Sequence, residues 1–138
     1  YCSTVTDSRI DIRNISAALS FVNSCFRNEK QEKFKVICID SGFHIKSVAD
    51  ISAGGARFTP VDFRELTKAV LNSGTDIVIL AHNHPDSPNT PSQEDVTLTR
   101  EVMRYMRCLG VTVLDHYITG KNGTISMRNC GLIHDMEC

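Results

Sequence analysis

Apolar residues recur along the chain with two different periods. Between Asn14 and Asn28, the residues Ile15, Ala18, Leu19, Val22, Cys25 and Phe26 keep a helical spacing, and Asn14 or Ser16 can cap it. Phe34 to Asp40 is rich in β-formers and reads as a strand. Ser41-Gly42 turns the chain into a second strand, about Ile45 to Ile51, which Gly54-Gly55 ends. Thr59-Pro60-Val61-Asp62 is a helix-start signal: Thr59 can cap, Pro60 suits the first helical position, and Asp62 complements the positive end of the dipole. Phe63, Leu66, Val70 and Leu71 then form an apolar stripe up to Gly74. Asp76 to Ala81 is a continuous apolar run, as expected of a strand buried on both faces. A polar loop with Pro85, Pro88 and Pro91 follows. Ser92 to Leu109 is the clearest helix, with Leu98, Val102, Met106 and Leu109 on its buried side and Gly110 at its end. Val111 to Thr119 and Thr124 to Met127 read as strands around the turn Gly120-Lys121-Asn122-Gly123. This order predicts an α/β fold: a single domain over residues 1–138, a mixed sheet with helices packed on it, and a polar segment 1–13 lying loosely against the rest.

Composition narrows the class. At 138 residues, 41% hydrophobic and 22% charged, the chain can bury one core and is not a disordered or repetitive sequence. The net charge of −1 argues against an autonomous nucleic-acid binder. The apolar runs are too short to span a membrane, and no secretory signal opens the chain. It begins at Tyr1, as expected of a piece of a longer protein. The six cysteines are irregularly spaced without a C-x-x-C pair, which predicts reduced thiols in the cytoplasm rather than a disulfide frame or a cysteine zinc site.

The chemistry concentrates where the buried strand runs out, at His82-Asn83-His84-Pro85. Residues two apart on a strand project to one side, so the two imidazoles can converge. Eleven residues after His84 comes Asp95, in the first turn of the next helix. Two imidazoles and a carboxylate give a metal three protein ligands and leave a fourth position for water, the composition of a catalytic zinc site. Taken singly, each part has a plainer explanation. His-x-His can be polar punctuation before a loop, and Ser92 with Asp95 can be only a helix capping box. Together, at fixed offsets between a buried strand and a capped helix, they are far more specific.

His82-x-His84, seven residues, Ser92, two residues, Asp95 resembles the JAMM (MPN-plus) metallopeptidase motif. The stretches Val78-Ile79-Leu80-Ala81-His82-Asn83-His84-Pro85 and Val113-Leu114-Asp115-His116-Tyr117-Ile118-Thr119-Gly120 are similar to the RadC branch of that family. The resemblance covers roughly residues 14 to 130 and departs from the usual RadC text at Asp86-Ser87. It implies a JAMM/MPN, cytidine-deaminase-like fold and one Zn2+ per chain held by His82, His84 and Asp95. It implies a catalytic glutamate before the first core strand, which falls on Glu32, ahead of Phe34-Lys35-Val36-Ile37-Cys38-Ile39-Asp40. Pattern alone does not choose Glu32 over Glu29 or Glu65. The resemblance also gives Ser92 the role of hydrogen-bonding the oxyanion of an attacked carbonyl. The implied activity is hydrolysis of an amide or isopeptide-like bond by metal-activated water, in a family traditionally associated with DNA repair. RadC chains usually carry an upstream helix-hairpin-helix region expected to touch DNA. Here about thirteen residues precede the first helix, so nucleic acid is not the expected partner of this domain alone.

Other residues carry two readings each. Asp115-His116 can supply a partner to a metal-bound histidine or can be structural. His44 and His134 stand in polar contexts and read as solvated. Arg100, Arg104 and Arg107 form a basic stripe, either a solvated helix face or a phosphate contact. Two alternatives to the hydrolase come from other classes: a DNA-associated or scaffolding module with a vestigial metal site, and an iron oxygenase using two histidines and a carboxylate. The helix-rich order disfavours the oxygenase.

Overall fold

The computed structural model describes residues 2–4, 10–54 and 60–134. Six strands form one sheet: β1 Cys2–Thr4, β2 Phe34–Ile39, β3 Ile45–Asp50, β4 Ile77–Asn83, β5 Thr112–Gly120 and β6 Gly123–Ser126. Three helices cover it: α1 Ile15–Cys25, α2 Phe63–Ser73 and α3 Gln93–Cys108. The strand order is β1-β3-β2-β4-β5-β6. Neighbours are antiparallel except β4 and β5, which are parallel and joined through α3. The mixed α/β sheet expected from the alternation of periods is what forms.

Strand pleating divides the core in two. Phe34, Val36, Cys38, Val78 and Leu80 face α2 and α3, where Leu66, Val70, Leu98, Val102 and Met106 are buried with them. Ile37, Ile39, Ile79, Ala81 and Tyr117 face α1, against Ala18, Val22 and Phe26. The central strand β4 is therefore buried on both sides, which explains its unbroken apolar run. No helix among the described residues is long and apolar enough to cross a membrane.

Several boundaries differ from the sequence expectation for local reasons. Helix α1 is capped by the Asn14 side chain, not Ser16, and ends at Cys25, where Phe26 and Arg27 tighten into bonds to the carbonyls three residues back, before Asn28 takes a left-handed φ of 70°. Helix α2 starts at Phe63, not Pro60. Ser52 bridges Val61 and the Pro60 carbonyl accepts from Ala53 N–H at 2.8 Å, so this stretch is held extended, and Asp62 becomes the cap. Thr59, the expected cap, lies outside the described residues. The N-terminal segment is not loose where it is described. Cys2–Thr4 pairs with β3, and the Ile10 carbonyl accepts from Ile45 N–H at 2.9 Å. Strand β4 runs two residues beyond Ala81, because Phe34 of β2 pairs with His82 and β5 continues alongside to Thr119. Cys25, Cys38, Cys108 and Cys130 are free.

Candidate metal centre

The extension of β4 places the two histidines. His82 continues the Val78–Leu80 face toward α3, is fully buried, and stacks on Phe34 with centroids 4.6 Å apart. His84 follows on the same side, its backbone N–H donating to Thr119 O at 2.7 Å. The proline-containing loop then folds over the β5–β6 turn. Lys121 N–H donates to Ser87 O, and Asn89 is held by Asn122 and by the Gly123 carbonyl. The fit requires a glycine at 120. A Cβ there would stand 2.4 Å from Asn89 N and 2.6 Å from the Pro88 carbonyl carbon. Held this way, the Pro88 carbonyl accepts from His84 Nδ1 at 2.9 Å.

Asp95 enters from α3. Ser92 caps the helix by accepting from Asp95 N–H at 3.0 Å, and Asp95 Oδ2 accepts from Ser92 N–H at 2.8 Å. The capping box and the ligand role are not alternatives, since one carboxylate serves both. Asp95 Oδ1 lies 3.3 Å from His82 Nε2, Asp95 Oδ2 lies 3.4 Å from His84 Nε2, and the two Nε2 atoms are 3.0 Å apart. Despite burial, the facing His82 and the Ser92 N–H hold the Asp95 carboxyl well below the usual carboxylate range.

Proton placement follows from the hydrogen-bond network. Thr99 Oγ1 donates to the Asp95 carbonyl at 2.6 Å, so it accepts from His116 Nδ1, also at 2.6 Å. That leaves His116 Nε2 to accept from His82 Nδ1 at 2.7 Å. Burial pushes the His116 pKa far down, which keeps this ring neutral. Both imidazoles thus donate through Nδ1 and turn Nε2 toward Asp95, so that each ring, when neutral, offers its Nε2 lone pair there. Two imidazole nitrogens and a carboxylate thus face one another, a donor set suited to a cation. Each Nε2 lies within 3.4 Å of one Asp95 oxygen and the two Nε2 atoms are 3.0 Å apart, close enough for one ion to be held by all three side chains. Among the described residues, His82, His84 and Asp95 are the group with metal-ligating geometry.

The rim carries the other expected residues. Glu32 and Ser92, both exposed, line with His84, Asp95 and Leu98 a cleft of about 630 Å³. Continued past Phe34–His82, the β2–β4 register would set Glu32 opposite His84, on the metal-ligating face. Ser92 Oγ accepts one hydrogen bond and retains its own proton to donate. Of Asp115-His116, only His116 reaches the site. Asp115 points to the other face, accepting from Ser126 Oγ, Arg128 N–H and its neighbour His116 N–H. His44 sits 3.8 Å from Asp40, and His134 is exposed. Arg104 and Arg107 are exposed, and Arg100 is half-buried. Sequence reasoning missed Thr99, whose signal is its place one turn after Asp95, and Asn83, whose signal is its place between the histidines.

A mixed sheet with helices on both faces, and a strand-end His-x-His met by a carboxylate from a helix start, define an α/β domain built around a candidate metal centre. The family model for the RadC-like JAB domain matches residues 12–132, and the chain belongs to that family. It is 34% identical over 125 residues to the UPF0758 protein of Symbiobacterium thermophilum, covering 91% of this chain and 53% of that protein. A UPF0758 protein of Clostridium botulinum is 32% identical over 127 residues, covering 92% and 56%. One of Syntrophomonas wolfei is 36% identical over 107 residues, covering 78% and 46%. The chain spans about half the length of these curated relatives.

Proposed function

We propose that this domain is a zinc-dependent hydrolase of an amide or isopeptide-like bond, working on a peptide-like substrate in the cytoplasm. The observation that carries the proposal is the convergence of the His82, His84 and Asp95 side chains, in metal-ligating geometry, at the wall of a cleft rimmed by Glu32 and Ser92. When bound, the zinc would polarise the carbonyl and lower the pKa of a water toward about 7. Glu32 takes the proton of the attacking water and delivers it to the leaving amine, which needs a carboxylate on the open side of the cleft. Ser92 donates its free hydroxyl proton to the oxygen on which charge develops. His116 and the Pro88 carbonyl fix the tautomers of His82 and His84. The near-neutral charge makes nucleic acid the lesser partner for this domain, and DNA repair would then name the process served by the whole protein.

The purified protein should hold about one zinc per chain, and His82→Ala with His84→Ala should abolish it. Equal zinc in both would overturn the metal assignment. Glu32→Gln keeps size and hydrogen bonding but cannot accept the proton. It should retain zinc and fold while hydrolysis of peptide or ubiquitin-like amides falls by about 10²–10⁴. Zinc loss in this variant would make Glu32 a ligand. Full activity with zinc retained would move the base elsewhere. A wild type that binds zinc and cleaves none of these amides would favour the scaffolding module.

A further inference from the structure

We propose that Asn83 is a positioning residue that sets Glu32 against the metal-ligating group, an inference resting on the hydrolase reading above. The β2–β4 ladder ends at the pair Phe34–His82. Past it, β4 turns its backbone to β5, as His84 N–H donates to Thr119 O. The segment that carries Glu32 therefore reaches β4 without the backbone pairing that fixes β2.

Asn83 supplies the missing link through its side chain. It is only 3% exposed. Its Oδ1 accepts from Lys33 N–H at 2.7 Å, and its Nδ2 donates to Gln31 O at 3.1 Å. The two bonds bracket Glu32 on both sides. A primary amide is the group that does this, because it presents one acceptor and one donor side by side, as a peptide does. Aspartate keeps the acceptor and loses the donor, and alanine loses both. Pleating explains why the clamp and the ligands do not compete. His82 and His84 project to the α3 side, whereas residue 83 between them is free to hold the neighbouring chain. The middle residue of His-x-His thereby links the base to the same strand that carries two ligands. A displacement of the base by about 1 Å can cost on the order of 10² in rate.

Asn83→Ala and Asn83→Asp, each alone and with Glu32→Gln, provide the test, read as zinc content, KM and kcat on a peptide amide, and amide hydrogen exchange at Lys33. The proposal expects Asn83→Ala to keep about one zinc and a KM within about twofold. Its kcat should fall about 10–100-fold, with faster exchange at Lys33. Asn83→Asp should fall between this variant and wild type. In the Glu32→Gln background neither change should lower kcat further, since the group being positioned is already disabled. A merely structural role would lower stability without this non-additivity. Wild-type kcat in Asn83→Ala, or losses that multiply with Glu32→Gln, would overturn the positioning role. If Asn83→Ala fails to fold, Asn83→Asp decides by the same two criteria. An inactive wild type, or an active Glu32→Gln, would overturn the hydrolase reading itself and this inference with it.

Discussion

Asp95 is held and used through its side chain and its backbone at once. Oδ2 accepts from Ser92 N–H, both carboxylate oxygens face the imidazoles, and the backbone carbonyl accepts from Thr99 Oγ1. The last contact fixes the direction of every proton from Thr99 through His116 to His82. Thr99→Val keeps the shape and removes the hydroxyl. His116 would then lose the acceptor that pins its proton to Nδ1, and His82 would lose its fixed tautomer. The expected outcome is a folded protein whose zinc affinity, measured by competition with a chelator, is weaker by about 10–100-fold. Unchanged affinity would mean that His82 is oriented by Phe34 stacking alone. His82 and His84 were legible as a pair because residues two apart on a strand project to one side, and Asp95 because it opens the next helix at the spacing of the JAMM-like motif. Thr99 was not. It lies within the apolar stripe beside Leu98 and Val102, and nothing local reveals that a histidine from β5 stands opposite. The pair Asp115-His116 was legible as chemistry but not as direction, since only the pairing of β5 with β4 decides which of two adjacent residues faces α3.

At the scale of elements, each part of the site is held by a neighbour that has no ligand of its own. Gly120 lets the loop 87–89 lie on β5, and that contact brings the Pro88 carbonyl to His84. Asp115 secures the other side of the same hairpin. Burial pushes its pKa up, while Ser126 Oγ, Arg128 N–H and His116 N–H pull it back by donating to it. Asp115→Ala would leave three donors without their acceptor. It should destabilise the domain by roughly 2–4 kcal/mol in chemical denaturation. Zinc stoichiometry of the folded fraction should stay at that of wild type, because no atom of Asp115 faces the ligands. Loss of zinc with the fold intact would give Asp115 a role at the metal after all. The helix starts teach a related lesson. Ser92 was legible as a cap because its partner Asp95 is three residues away. Pro60 misled because its fit to a first helical position is local, whereas the pairing of Val61 with Ser52 that holds it extended is not.

Over the whole molecule, the three candidate ligands come from the end of one strand and the start of one helix that pack on each other. His82 lies near the end of the central strand and His84 just past it, and Asp95 is in the first turn of the helix that crosses from β4 to β5. The two sides of the site are thus parts of the main core, where Leu98, Val102 and Met106 are buried against Val78 and Leu80. A site whose two sides belong to one packed core is expected to depend less on an ion for its assembly than a small zinc finger, whose fold depends on one. Assembly also brings the two imidazole Nε2 atoms 3.0 Å apart and each within 3.4 Å of an Asp95 oxygen, so the folded chain presents a cation with three donors at once. Zinc should therefore bind the folded state in strong preference to the unfolded chain and stabilise it by linkage. At free zinc about 100-fold above Kd this amounts to about 2.7 kcal/mol. For a domain of this size that is a rise in Tm of roughly 5–20 °C. Thermal unfolding followed by circular dichroism, with zinc buffered at several free concentrations, should show Tm rising with the logarithm of free zinc. The His82→Ala, His84→Ala protein should melt at one temperature throughout. A wild-type Tm independent of zinc would mean that the ligands reorganise on binding at a cost equal to the gain, and the preassembled centre described by these distances would be wrong.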